Sequence, residues 1–149
     1  MLPKVIATGT KLTPPSTLPA SSKPDAVTYL QKHAQKVVRS SKIVIIGGGA
    51  VGVQMATDIK ELYPEKSVTL VHSRTKLMNR FNSALHDIIA ERCRDLGIQM
   101  ILGSRVKVPE QGYPTDGRDF IVELEDGSSI PADFTVSFHS LVSPSREKK

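Results

Sequence analysis

Lys42-Ile43-Val44-Ile45-Ile46-Gly47-Gly48-Gly49-Ala50-Val51-Gly52 is the segment from which the rest of the chain can be organised. Its first five residues end in a continuous β-branched run, the pattern of a strand buried on both faces of a parallel sheet. A glycine turn, Gly47-x-Gly49-x-x-Gly52, follows at once. Beyond it, Val51, Met55, Ile59 and Leu62 recur at helical spacing, and Pro64 ends the pattern. A strand, a glycine turn and a helix in direct succession are the context in which such a turn acquires meaning.

The same alternation continues downstream. Residues 67–71 (Ser-Val-Thr-Leu-Val) read as a second buried strand. A loop with Arg74, Lys76 and Arg80 leads to a helix over residues 83–96, with Leu85, Ile88, Ile89 and Leu96 inward. Gly97 stands where a left-handed residue closes a helix, and residues 98–102 form a third strand. Upstream, residues 24–39 predict a helix with Val27, Leu30, Ala34, Val37 and Val38 on one face, and Ser22 as its N-cap. The order β-α-β-α-β implies an α/β fold, a Rossmann-like parallel sheet with right-handed crossovers. Residues 105–108, 120–124 and 129–136 then suggest an appended antiparallel β-meander, with Asp126-Gly127 as a tight turn. Residues 1–21 read as the edge of another domain plus a Pro-rich linker, 22–137 as the nucleotide-binding domain, and 138–149 as a polar basic tail.

In a turn of this kind each glycine has a task. Gly47 permits the tight bend, Gly49 lets the main chain approach a pyrophosphate, and Gly52 lets helix and strand pack closely. Free N–H groups at the helix start, around Gly48, Gly49, Ala50 and Val51, attract phosphate. The turn is not a P-loop, because Val53-Gln54 follows Gly52 where Lys-Ser/Thr is needed. A dinucleotide is therefore the expected ligand. About 20 residues after the glycines, NAD-binding domains place a carboxylate on the ribose hydroxyls. Here His72-Ser73-Arg74 occupies that strand end. A hydroxyl and a guanidinium suit a 2′-phosphate, so the reading leans to NADPH or dual use of NADPH and NADH. His72 serves either as a direct contact or as a steric filler.

Composition narrows the alternatives. With 149 residues and 39% hydrophobic content, the chain is long enough for one domain with a real core. Aromatic residues make up 5% and Trp is absent, which argues against a base-stacking nucleic-acid surface. The net charge of +5 is dispersed apart from Arg146-Glu147-Lys148-Lys149, so it reads as a solvated surface with a basic tail. Cys93 is the lone cysteine and sits beside an apolar stripe, which points to packing and excludes an intrachain disulfide. No stretch reaches the length of a transmembrane helix, and no signal core precedes the first prolines. The default compartment is the cytoplasm. One Cys and scattered His residues give no metal-ligand spacing. His33, His86 and His139 read as surface or helix-flank residues, and the helical carboxylates as solvated faces. Nothing in the sequence speaks to the oligomeric state.

Ala7-Thr8-Gly9-Thr10, the Pro-rich linker, a helix, and then Ile45-Ile46-Gly47-Gly48-Gly49-Ala50-Val51-Gly52-Val53-Gln54-Met55-Ala56 together resemble the two-dinucleotide-domain flavoprotein oxidoreductases. With Val68-Thr69-Leu70-Val71-His72-Ser73, the chain is most similar to their apoptosis-inducing-factor-like (ferroptosis-suppressor) NAD(P)H:quinone reductase branch. The resemblance covers residues 5–136. It implies an FAD domain into which the NAD(P)H domain is inserted. It also implies flavin-nucleotide contacts from Thr8 and Gly9, and hydride transfer from NAD(P)H to FAD and on to an acceptor such as a quinone. Gln54 stands where the family usually has Glu, keeping the amide and losing the charge. The first FAD fingerprint and the later flavin-binding Gly-Asp pair are not found. The expectation is therefore the NAD(P)H-binding portion of an FAD-dependent oxidoreductase. The alternatives are a non-catalytic NAD(P)H-binding module or an inactive truncation product. No catalytic side chain is expected in any of these readings, because the cofactors carry the chemistry.

Overall fold

A computed structural model describes residues 22–138. The elements run α1 (Lys23–Arg39), β1 (Lys42–Ile46), α2 (Ala50–Leu62), β2 (Ser67–His72), α3 (Ser83–Asp95), β3 (Gln99–Leu102), β4 (Phe120–Glu123), β5 (Ser129–Ala132) and β6 (Phe134–Ser137). Four strands form one parallel sheet in the order β3-β2-β1-β6, and β4 and β5 form a separate antiparallel pair. The fold is thus a Rossmann-like α/β domain with a β-αβαβ core and an added antiparallel unit.

Alternation along the strands sends side chains to two different cores. Ile43, Ile45, Val68, Leu70, Phe134 and Val136 face the helices, where Val53, Ala56, Ile59 and Cys93 meet them. Val44, Ile46 and Val71 face the other way, onto Val122, Leu124, Ile130 and Ala132 of the antiparallel unit. Both faces of the sheet are covered, which is why β1 and β2 read as unbroken apolar runs. Cys93 is fully buried among these side chains, and burial pushes its thiol pKa up, as expected for a packing residue.

Local signals place most boundaries. Ser22 caps α1, its hydroxyl accepting from the Asp25 N–H at 3.3 Å. Gly97 takes the left-handed conformation (φ 70°), and the N–H groups of Gly97 and Ile98 bond back to Arg94 and Cys93. At the Asp126-Gly127 turn, the Asp126 carboxylate accepts from the Ser128 N–H and hydroxyl. Those bonds, with one from Ser104, hold the carboxyl below its usual range.

Five expectations are corrected. Residues 129–136 are not one strand of a meander. β5 stops at Ala132, and β6 joins the parallel sheet beside β1, with Ile43 opposite Phe134. Asp133 makes the switch. Its carboxylate accepts from the Ser41 and Lys42 N–H groups at 2.7 and 3.0 Å, and its own N–H donates to the Lys42 carbonyl. Residues 105–108 contribute only a single bridge, Val106 to Leu124.

The stripe on α2 is rotated. Gly52, Val53, Ala56 and Ile59 are buried, while Val51 and Leu62 are exposed. Gly52 faces the glycine turn so closely that the residues one and two turns later must share its face. On α3 the same correction applies to Ile88, which is exposed where Ala90 and Cys93 are buried.

On α1, Val27, Leu30 and Val38 are about half exposed, and Val37 alone of the expected stripe joins the core. The helix is held at its C-terminal end instead. The buried Lys66 ammonium donates to the Val38 and Ser40 carbonyls at 2.8 and 2.5 Å and lies 4.9 Å from the Tyr63 ring centre.

Candidate dinucleotide-binding site

The glycine turn leaves β1 at the carboxyl edge of the parallel sheet. There β2 and β3 lie to one side and β6 to the other. That is the switch point of strand order, where open α/β sheets place their ligands. Gly47 turns the chain with φ 121°, its N–H donating to the Val71 carbonyl at 2.8 Å. A Cβ there would stand 3.1 Å from the Phe138 carbonyl oxygen, so β6 and its exit close one side of the turn.

The other three glycines differ sharply in what surrounds them. A Cβ on Gly52 would sit 1.9 Å from the Gly47 carbonyl oxygen, an overlap with main chain that no rotamer relieves. A Cβ on Gly48 would lie 2.5 Å from Leu77 Cδ2 and 2.8 Å from His72 Cγ. A Cβ on Gly49 would meet nothing within 4 Å. Gly49 is also the N-cap of α2, in an extended conformation with no side-chain cap. Its N–H makes no hydrogen bond among the described residues. Ala50 and Val51, in the first turn, lack intrahelical acceptors by the geometry of any α-helix. Free donors, the positive end of α2 and open space therefore coincide at Gly49.

The expected site residues separate accordingly. Gly47, Gly48 and Gly52 shape the turn from beneath. Gly49, Ala50 and Val51 form its outer rim, and Gln54 is exposed one turn along α2. Ser73 and Arg74 are exposed at the end of β2. They open onto a depression of about 530 Å³, lined also by Lys76, Asn79, His86 and Gly103, beside the glycine turn rather than on it. The Arg74 and His72 carbonyls accept from Gly103 and Ser104, tying the end of β3 to this edge. Thr8, Gly9 and His139 lie outside the described residues.

His72 is a component of the turn itself. Its Nδ1 accepts a hydrogen bond from the Gly48 N–H at 3.1 Å. Burial pushes its pKa below the ordinary histidine value. The Asn79 side chain opposes that shift, and the Arg74 charge adds to it. The loop after β2 supports the turn too. Met78, held at φ 52°, donates its N–H to the Gly48 carbonyl at 2.9 Å, and Leu77 is fully buried beneath Gly48. Leu77 in turn donates its N–H to His86 Nδ1 at 3.1 Å. His86 thus has a structural partner that a surface reading did not foresee. His33 is likewise half-buried, with its ring edge against Phe134 at 5.6 Å. Burial, and secondarily Lys36, lowers its pKa. Leu77 and Met78 were missed by sequence reasoning. The signal was a glycine at position 48, where the turn pattern tolerates any residue.

Comparison with known proteins agrees with this geometry. Residues 4–138 match the pyridine nucleotide-disulphide oxidoreductase family. The chain is 46% identical over 136 residues to the FAD-dependent oxidoreductase FVFD30 of Flammulina velutipes, covering 89% of this chain and 40% of that protein. It is 40% identical to the Fe-regulated protein 8 of Mycosarcoma maydis, covering 77% and 28%. It is 33% identical to the ferroptosis suppressor protein 1 of Mus musculus, covering 74% and 30%. The chain thus spans well under half the length of these relatives. Among solved structures, a ferredoxin reductase from Rhodopseudomonas palustris shares the fold, with a TM-score of 0.62 at 22% identity over 78% of this chain and 26% of that one.

Proposed function

The chain belongs to the pyridine nucleotide-disulphide oxidoreductase family, and from that premise we propose that residues 22–138 bind NAD(P)H for hydride transfer to FAD. The electrons then pass to a quinone-type acceptor, the acceptor that likeness to the ferroptosis-suppressor branch implies. The observation that carries the dinucleotide reading is the contrast between Gly52 and Gly49. One is fused sterically to the turn. The other stands over open space with an unused N–H.

In this reading Gly49, Ala50 and Val51 donate main-chain N–H groups to the pyrophosphate. Gln54 offers its amide toward the nicotinamide side, and Thr8 and Gly9 contact the flavin nucleotide. The nicotinamide and the flavin supply the redox chemistry, and the chain supplies position and electrostatics. Ser73 and Arg74 stand where a carboxylate would select NAD, and a guanidinium pairs well with a 2′-phosphate. The preferred donor is accordingly NADPH.

Titration of the chain with NADPH and with NADH, followed by nicotinamide fluorescence, tests both parts. Saturable binding of each is expected. Arg74→Ala is expected to weaken NADPH by about tenfold, the scale of a charge-assisted hydrogen bond, and NADH by much less. Failure of both nucleotides to bind would refute the dinucleotide site. Equal weakening of the two would refute the 2′-phosphate assignment alone.

A further inference from the structure

We propose that His72 is a positioning residue for the dinucleotide. Its neutral imidazole, bare at Nδ1, holds the Gly48 N–H and so fixes the turn from which Gly49, Ala50 and Val51 meet the pyrophosphate. This rests on the dinucleotide reading above and deepens it.

Gly48 is held at both of its main-chain groups. Its N–H donates to His72 Nδ1 at 3.1 Å, and its carbonyl accepts from Met78 N–H at 2.9 Å. The ring lies directly under it, because a Cβ at position 48 would come within 2.8 Å of His72 Cγ. A ring nitrogen accepts a hydrogen bond only when it carries no proton. The neutral ring must therefore bear its proton on Nε2. That Nε2 is buried and has no hydrogen-bond partner of acceptable geometry among the described residues. The Asn79 side chain interacts with the ring, yet Nε2 is left without a well-formed hydrogen bond while Nδ1 serves the glycine turn, a departure from the rule that buried polar groups are paired. Such breaches concentrate where function demands them.

Protonation would undo the arrangement, since Nδ1–H would then confront the Gly48 N–H. The surroundings favour the neutral form. Arg74 lies at the end of the same strand, and Lys76 and Arg80 are on the following loop. The first turn of α2, which carries the rest of the phosphate site, has no charged residue. No carboxylate among the described residues acts on the ring, and only Asn79 opposes the shift that burial and Arg74 produce. From α3, His86 repeats the device, accepting the N–H of the loop residue Leu77 through Nδ1.

The test compares wild type, His72→Ala and His72→Asn by NADH fluorescence titration between pH 7.5 and 5. NADH is used because the 2′-phosphate of NADPH titrates in this range itself. At pH 7.5 His72→Ala is expected to bind about five- to tenfold more weakly, the scale of one lost hydrogen bond. His72→Asn, whose Oδ1 can replace Nδ1, is expected to stay within about twofold of wild type. As the pH falls below the histidine range, wild type weakens toward the alanine variant while the asparagine variant stays level. An alanine variant that binds like wild type, or an asparagine variant that keeps the wild-type pH profile, overturns the role of His72 alone. If NADH does not bind, the same variants are compared with NADPH at pH 7.5, and failure of both nucleotides to bind to wild type overturns the dinucleotide reading and this proposal with it. Should His72→Ala not fold, the ¹⁵N shifts of the wild-type ring decide. A bare Nδ1 and a protonated Nε2 are required, and the opposite tautomer refutes the proposal.

Discussion

The underside and the rim of one glycine turn obey different rules. Beneath, Gly47, Gly48 and Gly52 are hemmed in by Phe138, Leu77, His72 and the turn's own main chain. On the rim, Gly49 has no neighbour that a side chain would strike. The sequence shows four glycines, three at motif positions and Gly48 at a position open to any residue. Their surroundings separate three that are packed from one that stands open. A substitution at the underside should therefore be read as a stability change, and one at the rim as a binding change.

The largest effect should come from forcing the underside. Gly52→Ala drives a methyl group into the Gly47 carbonyl oxygen, so helix and strand must separate. We expect a loss of about 3 kcal/mol or more, measured as a lower urea midpoint. A stability close to wild type would mean that α2 can slide along β1, and would erase the distinction between the two sides. The complementary change, Gly49→Ala, is expected to cost less than about 1 kcal/mol of stability, mostly for a poorer N-cap. The same variant should weaken NADPH at least about tenfold, because its methyl occupies the space the pyrophosphate needs. Calorimetric unfolding and nucleotide titration on one sample separate the two effects. Unchanged affinity would move the ligand off the turn.

The smallest effect is a pH dependence that sharpens the role of buried imidazoles. His33 and His72 both have folded-state pKa values below the ordinary 6.5. The unfolded chain therefore binds more protons between those values and 6.5. Their contribution to stability is complete above about pH 6.5 and is lost as the pH falls through the folded values. Urea midpoints measured from pH 7.5 to 5 should decline in that direction. A rise on acidification would mean that groups whose folded-state pKa values are raised outweigh both histidines.

Local chemistry was legible in the sequence. The β1 run, the glycine turn, the β2 run, the Ser22 and Gly97 caps and the Asp126-Gly127 turn each depend on neighbours within a few residues, and each stands where its signal put it. The misread features all depend on distant partners. Residues 129–136 look like one strand because nothing nearby reveals that Asp133 will bind Ser41 and Lys42. The face of α2 follows from the contact of Gly52 with Gly47, not from where its largest apolar side chains fall. The C-terminal end of α1 is bonded by Lys66, a charged residue that hydrophobic periodicity ignores. At the candidate site, the glycines and the absence of a carboxylate at the end of β2 were visible. The bond from Gly48 to His72 was not, because it spans 24 residues and two strands.

The placement of β6 also has a consequence in time. β1 pairs with a strand whose anchoring residue, Asp133, lies 91 positions beyond Lys42. On a ribosome adding ~5–20 residues per second, β1 waits roughly 5–20 s for that neighbour after it has been made. Through that interval the nascent sheet can zip from β1 to β2 to β3, while the other edge of its central strand stays open. The last pairing closes the longest loop and is the slowest to find by chance. A chaperone reading this chain as it emerges would thus encounter the same strand edge that later flanks the glycine turn.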